Sequence, residues 1–379
     1  MTDVHVLGTG AIPFRKYPEK TLADLGWPAL REAILEANVK SADINAVYCG
    51  TALGGMLAGQ RVTKMLGMSG MPIINVENAC SSSSSALAQG WMAIKSGKFD
   101  LVAVIGVEKL TKFGGGTLPL EKEDWEVNQG LVMPALYAMR ANRYMHEYGL
   151  THSQLAQVSV KAHDHGALNP NAQIRKQVTL EEVMSARPVA DPFTLWHCCP
   201  TGDGAAALIL ASSEVAKRYR SDTVRILASE VTSGKYTNGY RDMTFPELTA
   251  RGAHEAYEMA GLGPDDVDVA EIHDAFTIAE LMYYEAFGFC ERGGAYDLLN
   301  SGATSLGGRV PVNPSGGLLS RGHPVGATGA VQAVEVVRQI EGRAGAHQVA
   351  NAKVGLTHAT GGGVAGYDHG ACSIHVFAR

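Results

Sequence analysis

One cysteine, Cys80, stands at the head of five consecutive serines in the stretch VENACSSSSSALAQG, Val76 to Gly90. It follows the apolar segment MPIINVENA and precedes SALAQGWMAIKSG, a good helix-forming composition. That order places the thiol on a strand-to-helix turn, at the positive end of a helix dipole, which favours the nucleophilic thiolate. Small serines let the helix pack closely and leave room beside the sulfur, and Ser81 or Ser82 can cap free N–H groups. On residue types alone, a small buried cysteine at a tight helix start explains the stretch equally well. A nucleophilic thiol needs a base. His273 opens HDAFTIAE directly after the apolar strand VDVAEI, and His323 lies in NPSGGLLSRGHPVGATGA just before another helix. Each histidine taken singly is as readily a hydrogen-bonded structural residue. The glycines around His323 and those of THATGGG, Thr357 to Gly363, can bring backbone N–H groups to a ligand, the latter as an oxyanion hole.

These groups are far apart in the chain, so the fold must gather them. LREAILEANVKSADINAVYCG from Leu30 and AHEAYEMAGLGPDDVDVAEIH from Ala253 share one pattern at a constant shift of 223 residues, as Ala33 to Ala256 and Asp43 to Asp266 show. Each copy predicts an amphipathic helix, a polar turn and an apolar strand. Cys80 and LVAVIGVE follow the first copy; GHPVGATG, a helix from about 327 to 339 and AKVGLTHA follow the second. A duplicated α/β architecture follows, with its sheet buried on both faces where strands read as unbroken apolar runs. The spacing assigns residues 1–110 to a first half, 111–200 to an inserted cap over the active face, 201–240 to the remainder of the first half and 241–379 to the second half.

Composition narrows the function classes. With 379 residues, 46% hydrophobic and 18% charged, the chain can bury a large core. A net charge of −6 without a basic tract argues against nucleic acid as a partner. No apolar run is long enough to span a membrane. The six cysteines are sparse and fit a reducing compartment without a disulfide framework. The start, MTDVHVLGTGAIPF, lacks a secretory pattern and HVFAR is not a peroxisomal address, so a cytoplasmic protein is expected. The pair Cys198–Cys199 lacks the spacing of a zinc site, and no metal is expected.

Together these segments resemble the thiolase superfamily. The resemblance spans nearly the whole chain and rests on ENACSSSSSAL, PTGDGAAALIL from Pro200, HDAF, NPSGG with GHPVGATG, and the terminal GGG. HDAF in place of NEAF is similar to the sterol-carrier-protein-type, lipid-transfer-type and archaeal members. The resemblance implies two fused βαβαβαββ halves in a five-layer αβαβα sandwich, a homodimer or dimer of dimers, and coenzyme A thioesters as substrates without a permanently bound cofactor. It implies that Cys80 attacks the thioester and carries the acyl group, that His323 takes the thiol proton, and that His273 and His323 hold one oxyanion. The N–H groups of Cys80 and of Gly362 or Gly363 hold the other. The same motifs place Asn313, Gly316, Gly317, Ala275 and Phe276 against the substrate. Thiolase-like proteins of this length also pair with a small subunit bearing a zinc ribbon and an OB fold. The cap has no full phosphate clamp of its own, so such a partner is expected here.

The chain departs from the family pattern at one function. The second cysteine, which moves the α-proton, has its usual positions at Ala359 and Ala275, and neither titrates. Three readings follow. In the first, His323, His358 or a tyrosine does this proton work, and the protein makes or cleaves a β-ketoacyl-CoA with a fatty, aromatic or branched acyl chain. In the second, it is a retro-aldolase acting on a β-hydroxyacyl-CoA side chain. In the third, it is a non-catalytic acyl-CoA-binding scaffold. Cys80, His273 and His323 together favour the first. Cys198, Cys199 and His197 are expected to be structural, as is Cys290. Phe113, Trp125, Tyr137 and Trp196 lie in or beside the cap as candidates for an acyl-chain lining.

Overall fold

Unbroken apolar runs such as LVAVIGVEK and DGAAALILAS have no polar face, so they settle as strands covered on both sides. The computed structural model describes residues 2–220, 222–236, 241–363 and 368–379. Its strands are β1 (Val4–Ala11), β2 (Ala46–Gly50), β3 (Ile73–Val76), β4 (Leu101–Lys109), β5 (Pro188–Ala190), β6 (Phe193–Thr194), β7 (Asp203–Ser212), β8 (Val224–Thr232), β9 (Val269–Glu271), β10 (Val354–Gly361) and β11 (Ala371–Ala378). Nine of them form one sheet in the order β3-β2-β4-β7-β1-β8-β11-β10-β9, while β5 and β6 make a separate hairpin. β2 runs parallel to β3 and β4, and β9 parallel to β10. The sheet is two half-sheets joined by a short antiparallel contact, Val4–Val6 against Val224–Ile226.

The expected duplication is present. The helix Leu22–Ala37, the turn Ser41–Asp43 and β2 match the helix Glu247–Ala260, the turn Pro264–Asp266 and β9. The turn Ala79–Ser81, the helix Ser82–Lys95 and β4 match the turn Val325–Ala327, the helix Thr328–Ile340 and β10. The helix Leu22–Ala37 starts on a Thr21–Asp24 capping box and covers β1, β4 and β7 from outside. Glu247–Ala260 covers β8 and β11 in the same way. Helices Ser82–Lys95 and Thr328–Ile340 touch each other and strands of both halves, so they form the middle layer. Helix, half-sheet, helix pair, half-sheet and helix make the five layers.

One boundary differs from the sequence expectation. Residues 201–240 were assigned to the first half, but β8 pairs with β11 along most of its length and opens the second half-sheet. VRILASEV is an apolar strand in either assignment, and only its pairing decides which half it serves.

The middle layer explains the serine run. Ser81 to Ser85 are all buried, and all but Ser82 bond across to the second half through their hydroxyls. Ser81 Oγ is 2.7 Å from Ser373 Oγ, Ser84 Oγ is 2.8 Å from His375 Nε2, and Ser83 Oγ accepts the Ala330 N–H at 2.9 Å. Ser82 Oγ accepts the Asn78 N–H at 3.0 Å and donates to Ala79 O at 2.6 Å, while Ser81 makes no side-chain cap of the helix. The backbones approach closely here. A Cβ on Gly106 would stand 2.7 Å from Ser83 Cβ, and one on Gly329 would stand 2.6 Å from Ser84 N.

The inserted region carries the helices Met133–Tyr148 and His152–Leu168, which share one hydrophobic core with the second half. Lys161, buried in the second of these, pairs with the buried Glu280 at 2.6 Å and donates to Val312 O at 3.2 Å. Removing one member of such a buried pair costs about 3–5 kcal/mol, so the pair locks the placement of this helix.

Candidate active site

Cys80 lies on the turn between β3 and the helix Ser82–Lys95. The residue before it, Ala79, holds a left-handed φ of 48° without being glycine. A non-glycine residue in that region costs about 1–3 kcal/mol and is kept only where its surroundings demand it. Here it turns the chain so that the sulfur faces the second half. His323 Nε2 stands 3.3 Å from Cys80 Sγ, and His323 Nδ1 stands 2.8 Å from Thr328 Oγ1, in the first turn of the helix Thr328–Ile340. With the Thr328 hydroxyl accepting, Nδ1 carries the proton and Nε2 is left to accept one, the tautomer a base facing Cys80 requires.

His273 sits between β9 and the helix Thr277–Ala286. Its ring meets that of His323 edge-on at 5.1 Å between centroids. Cys80, His273 and His323 each offer an atom within 4.8 Å of the others. His273 is 3% exposed, and its Nδ1 has no hydrogen-bond partner among the described residues. A buried, unpaired donor or acceptor is costly unless something else completes it. The trio is also a donor set that could hold a metal ion such as zinc. An ion there would occupy the nucleophile itself.

Behind the sulfur, β10 ends in the glycine run. A Cβ on Gly361 would stand 2.0 Å from Asn78 O, so only glycine lets the two turns meet. Gly362 follows with φ +58°, and its N–H bonds the Cys80 sulfur. Gly363 lies beyond it at the open edge. Glu108, at the end of β4, ties the halves together from the other side. Its carboxylate accepts the N–H of Ala52 at 2.8 Å and of Gly326 at 3.1 Å.

The electrostatics reverse one expectation. The helix terminus was expected to favour a thiolate at Cys80. Burial instead pushes the thiol up to about 12, with the Gly362 N–H pulling the other way and Glu108 adding to the rise. His323 is pushed down to about 3 by burial, then by Arg321. His273 is pushed well below its usual value by burial and by the neighbouring imidazoles. Both shifts favour a neutral thiol beside a neutral imidazole. A helix end is a local property of sequence, whereas desolvation is a property of everything packed around the sulfur.

His358, a candidate acid/base, is fully buried on β10 and pushed down to about 3 by burial. Its Nδ1 accepts the His273 N–H at 3.4 Å and its Nε2 meets Thr249 Oγ1 at 3.1 Å. Both nitrogens are engaged, and the ring braces the main chain of His273. Asn313, Gly316 and Gly317 were expected to line the substrate, and this needs correction because all three are buried inside the protein. Asn313 Oδ1 accepts the Ile272 N–H at 2.8 Å and its Nδ2 donates to Glu280 at 3.2 Å, so it fixes the approach to His273. Cβ atoms on Gly316 and Gly317 would stand 2.6 Å from Gly166 Cα and 2.2 Å from an Asp274 oxygen. Phe276 stacks on Tyr137 at 4.6 Å and on Phe193 at 5.7 Å. Ala275 is 6% exposed and gives its carbonyl to the Cys199 N–H at 3.0 Å.

Two residues, Thr328 and Glu108, escaped sequence reasoning, and two more, Tyr137 and Cys199, were expected in other roles. Thr328 and Glu108 carry a faint signal, a hydroxyl five residues after His323 and a carboxylate ending an apolar strand. Tyr137 Oη meets His369 Nε2 at 2.7 Å in a buried chain that continues to Asp368 and Arg140. Cys199 stands beside Ala275, and its thiol is pushed well up by burial and then by Cys198, Cys80 and Asp274. Nothing in the sequence distinguishes it from its neighbour Cys198.

The fold is a duplicated α/β architecture with a thiol–imidazole pair and backbone N–H groups at the junction of its halves. The chain belongs to the thiolase family and is an acyltransferase: residues 4–214 match the thiolase N-terminal domain and residues 229–369 the thiolase C-terminal domain-like family. It is 40% identical to an acetyl-CoA acetyltransferase of Methanothermobacter thermautotrophicus over the whole of both chains. It is 40% identical to the benzoylsuccinyl-CoA thiolase subunit BbsB of Thauera aromatica, over 95% of each chain. Human sterol carrier protein 2 is 37% identical over 94% of this chain and 70% of that protein. Among solved structures, the Ltp2-ChsH2(DUF35) aldolase superposes with a TM-score of 0.86 at 27% identity, covering 98% of this chain and 97% of that chain. The Acat5 thiolase of Ascaris suum in complex with coenzyme A shares the fold, with a TM-score of 0.75 at 20% identity, and each chain is covered fully. No helix among the described residues is long and apolar enough to cross a membrane.

Proposed function

We propose that the protein makes or cleaves a β-ketoacyl-CoA, bearing a fatty, aromatic or branched acyl group, through an acyl thioester on Cys80. The observation that carries this reading is the 3.3 Å contact between Cys80 Sγ and His323 Nε2, with the Gly362 N–H on the same sulfur. His323 takes the thiol proton as sulfur attacks the carbonyl carbon. The N–H groups of Cys80 and Gly362 hold the oxygen that becomes negative, and Gly363 continues that edge. His273 and His323 hold the enolate oxygen of the second substrate. Each preorganised donor of this kind is worth about 3–4 kcal/mol, or roughly 10²–10³ in rate. Covalent storage on sulfur divides one difficult transfer into two easier ones. His358, Asn313 and Thr328 keep the rings in place, and coenzyme A acts as substrate and product with no permanent cofactor.

Mass spectrometry after incubation with acetyl-CoA and longer acyl-CoA thioesters tests this. An acyl adduct on Cys80, absent from Cys80→Ala, is expected. Release of an aldehyde or ketone from a β-hydroxyacyl-CoA, with no adduct, would overturn it in favour of a retro-aldolase; neither outcome would leave an acyl-CoA-binding scaffold.

The same proposal includes assembly as a homodimer or dimer of dimers, with a small zinc-ribbon and OB-fold partner. Two observations support it. Edge strand β3 leaves Ile74 39% exposed, and Met56 and Leu57 stand out nearby at 90% and 60%. The aldolase relative is named as a complex with a DUF35 protein. Light scattering of the chain expressed alone and with such a subunit tests both parts.

A further inference from the structure

The reaction proposed above needs a group that moves a proton at the α-carbon, and Ala275 and Ala359 leave the usual positions empty of any titratable atom. We propose that Cys199 supplies that group, its thiol reaching the site from the segment that pairs with Ala275. The inference rests on the thiolase reading and names the residue that completes it.

Three observations carry it. The Cys199 N–H donates to the Ala275 carbonyl at 3.0 Å, and the preceding residue, Cys198, bridges Phe276. This lays Cys199 alongside the loop that begins with His273, so a thiol absent from one strand of the wall is provided by the strand next to it. The site it joins is built and incomplete. His273, 3% exposed, brings one ring nitrogen within 4.8 Å of Cys80 and His323, and its Nδ1 has no partner among the described residues. Cys80 and Asp274 are among the groups whose ionisation would raise the Cys199 thiol further, which puts Cys199 within electrostatic reach of both. Cys198 differs: its Sγ turns towards Thr194 O at 3.8 Å.

The steps balance. In cleavage, His323 takes the Cys80 proton, and sulfur attacks the β-keto carbonyl. The bond between the α- and β-carbons breaks, leaving acyl-Cys80 and the enolate of the departing thioester. The enolate carbon takes the Cys199 proton and leaves as the shortened thioester, with Cys199 as thiolate. Coenzyme A gives its thiol proton to Cys199, attacks acyl-Cys80 and departs as the second thioester. Cys80 recovers its proton from His323. Condensation is the reverse, with the Cys199 thiolate removing the α-proton. No oxidant or reductant is needed. Burial keeps the Cys199 thiol protonated, so its proton is in place when the far more basic enolate carbon forms.

The test separates the two half-reactions in the full-length chain. Acetyl-CoA is incubated in deuterium oxide, and deuterium in its methyl group is measured together with acetylation of Cys80. Cys199→Ala and Cys199→Ser are expected to lower deuterium incorporation by about 10²-fold or more while Cys80 is still acetylated. Cys198→Ala is expected to match wild type in both. A loss of general packing would lower both readouts together, and the retained adduct excludes it. Wild-type exchange in Cys199→Ala overturns the proposal, as does loss of exchange in Tyr137→Phe with none in Cys199→Ala. Absence of any Cys80 adduct in the wild type overturns the thiolase reading itself, a distinct failure.

Discussion

At the scale of single residues, the site works by keeping charge off until it is needed. A thiol pushed to about 12 and an imidazole pushed to about 3 leave both partners neutral across the physiological range. In the reaction proposed above, proton transfer between them is coupled to attack on the carbonyl, and the Gly362 N–H and its neighbours would receive the new negative charge. The alternative, a preformed thiolate–imidazolium pair, makes a different prediction for simple alkylation. With the neutral pair, the rate of Cys80 labelling by iodoacetamide rises about tenfold per pH unit from neutrality upward, because the thiolate fraction does so for any thiol titrating far above the assay pH. A rate that is already flat near neutrality would mean the ion pair exists at rest. The hydroxyl behind His323 belongs to the same argument. Thr328→Val leaves Nδ1–H unpaired in a buried place and frees the ring to present the wrong tautomer. A net hydrogen bond of about 1 kcal/mol, with the penalty of an unmet buried donor, predicts a fall of roughly tenfold in the rate of Cys80 acylation. Unchanged acylation would show that something other than Thr328 sets the ring.

At the scale of elements, the site exists because two helices from two halves lie nearly in contact. The separation of Cys80 from His323 is set by the packing of Ser82–Lys95 against Thr328–Ile340, and that packing depends on residues with almost no side chain. Gly329→Ala decides between two effects. Helix propensity alone favours alanine over glycine by about 1 kcal/mol. The added Cβ, however, would stand 2.5 Å from Ser84 Cβ and 2.6 Å from its backbone nitrogen, and backbone cannot move aside as a flexible side chain can. Overpacking of this kind costs about 1–3 kcal/mol or more, so destabilisation wins. The expected result is a thermal midpoint lower by at least several degrees, with slower acylation of Cys80 because the helices are wedged apart. Gly263→Ala, whose Cβ would meet only an Asp266 oxygen at 3.9 Å, serves as the control. A midpoint unchanged or raised in Gly329→Ala would mean that the helix contact is looser than the structure shows. The elements themselves were largely legible in the sequence. Helix, turn and strand recur at one shift, and apolar runs announce buried strands. The roles of the small and polar residues between them were not. The serines looked like room for a substrate and proved to be hydrogen-bonding contacts between halves. Asn313, Gly316 and Gly317 looked like a ligand loop; Asn313 holds the chain just before His273, while Gly316 and Gly317 allow close packing against Gly166 and Asp274. In each case the residue type was informative about close approach, but the partner came from a distant segment that local spacing does not reveal.

At the scale of the whole molecule, the same burial that tunes the site leaves a signature in stability. Five histidines are pushed down by burial to values near 3 or 4: His165, His197, His323, His358 and His375. Each binds its proton far more weakly folded than unfolded, where the ordinary value is about 6.5. Their contribution is therefore complete above the unfolded value and is lost as pH falls from there towards the folded values. Each adds up to about 1.4 kcal/mol per pH unit to the slope where only the unfolded chain is protonated. Carboxyls act in the opposite sense. Asp274 is pushed up to about 8, by burial and then by Glu280, so its contribution is present below the unfolded value and fades as pH rises towards 8. Glu108, Glu271 and Glu285 are shifted in the same direction, each by burial first. Between about pH 7 and about pH 5 the unfolded histidines gain protons that the folded ones refuse, while the raised carboxyls, protonated folded and ionised unfolded, act against that trend at up to about 1.4 kcal/mol per pH unit each. Five histidines are pushed down to about 3 or 4, whereas Asp274 alone among these carboxyls is pushed as far as about 8, so the histidines outnumber it and stability falls on acidification. Thermal unfolding in buffers of matched ionic strength checks this directly. The midpoint is expected to drop steadily from about pH 7 to about pH 5, with proton uptake on unfolding. A midpoint that holds level or climbs over that interval would show that these imidazoles are not buried in their neutral form, and with that the neutral Cys80–His323 pair would lose its physical basis.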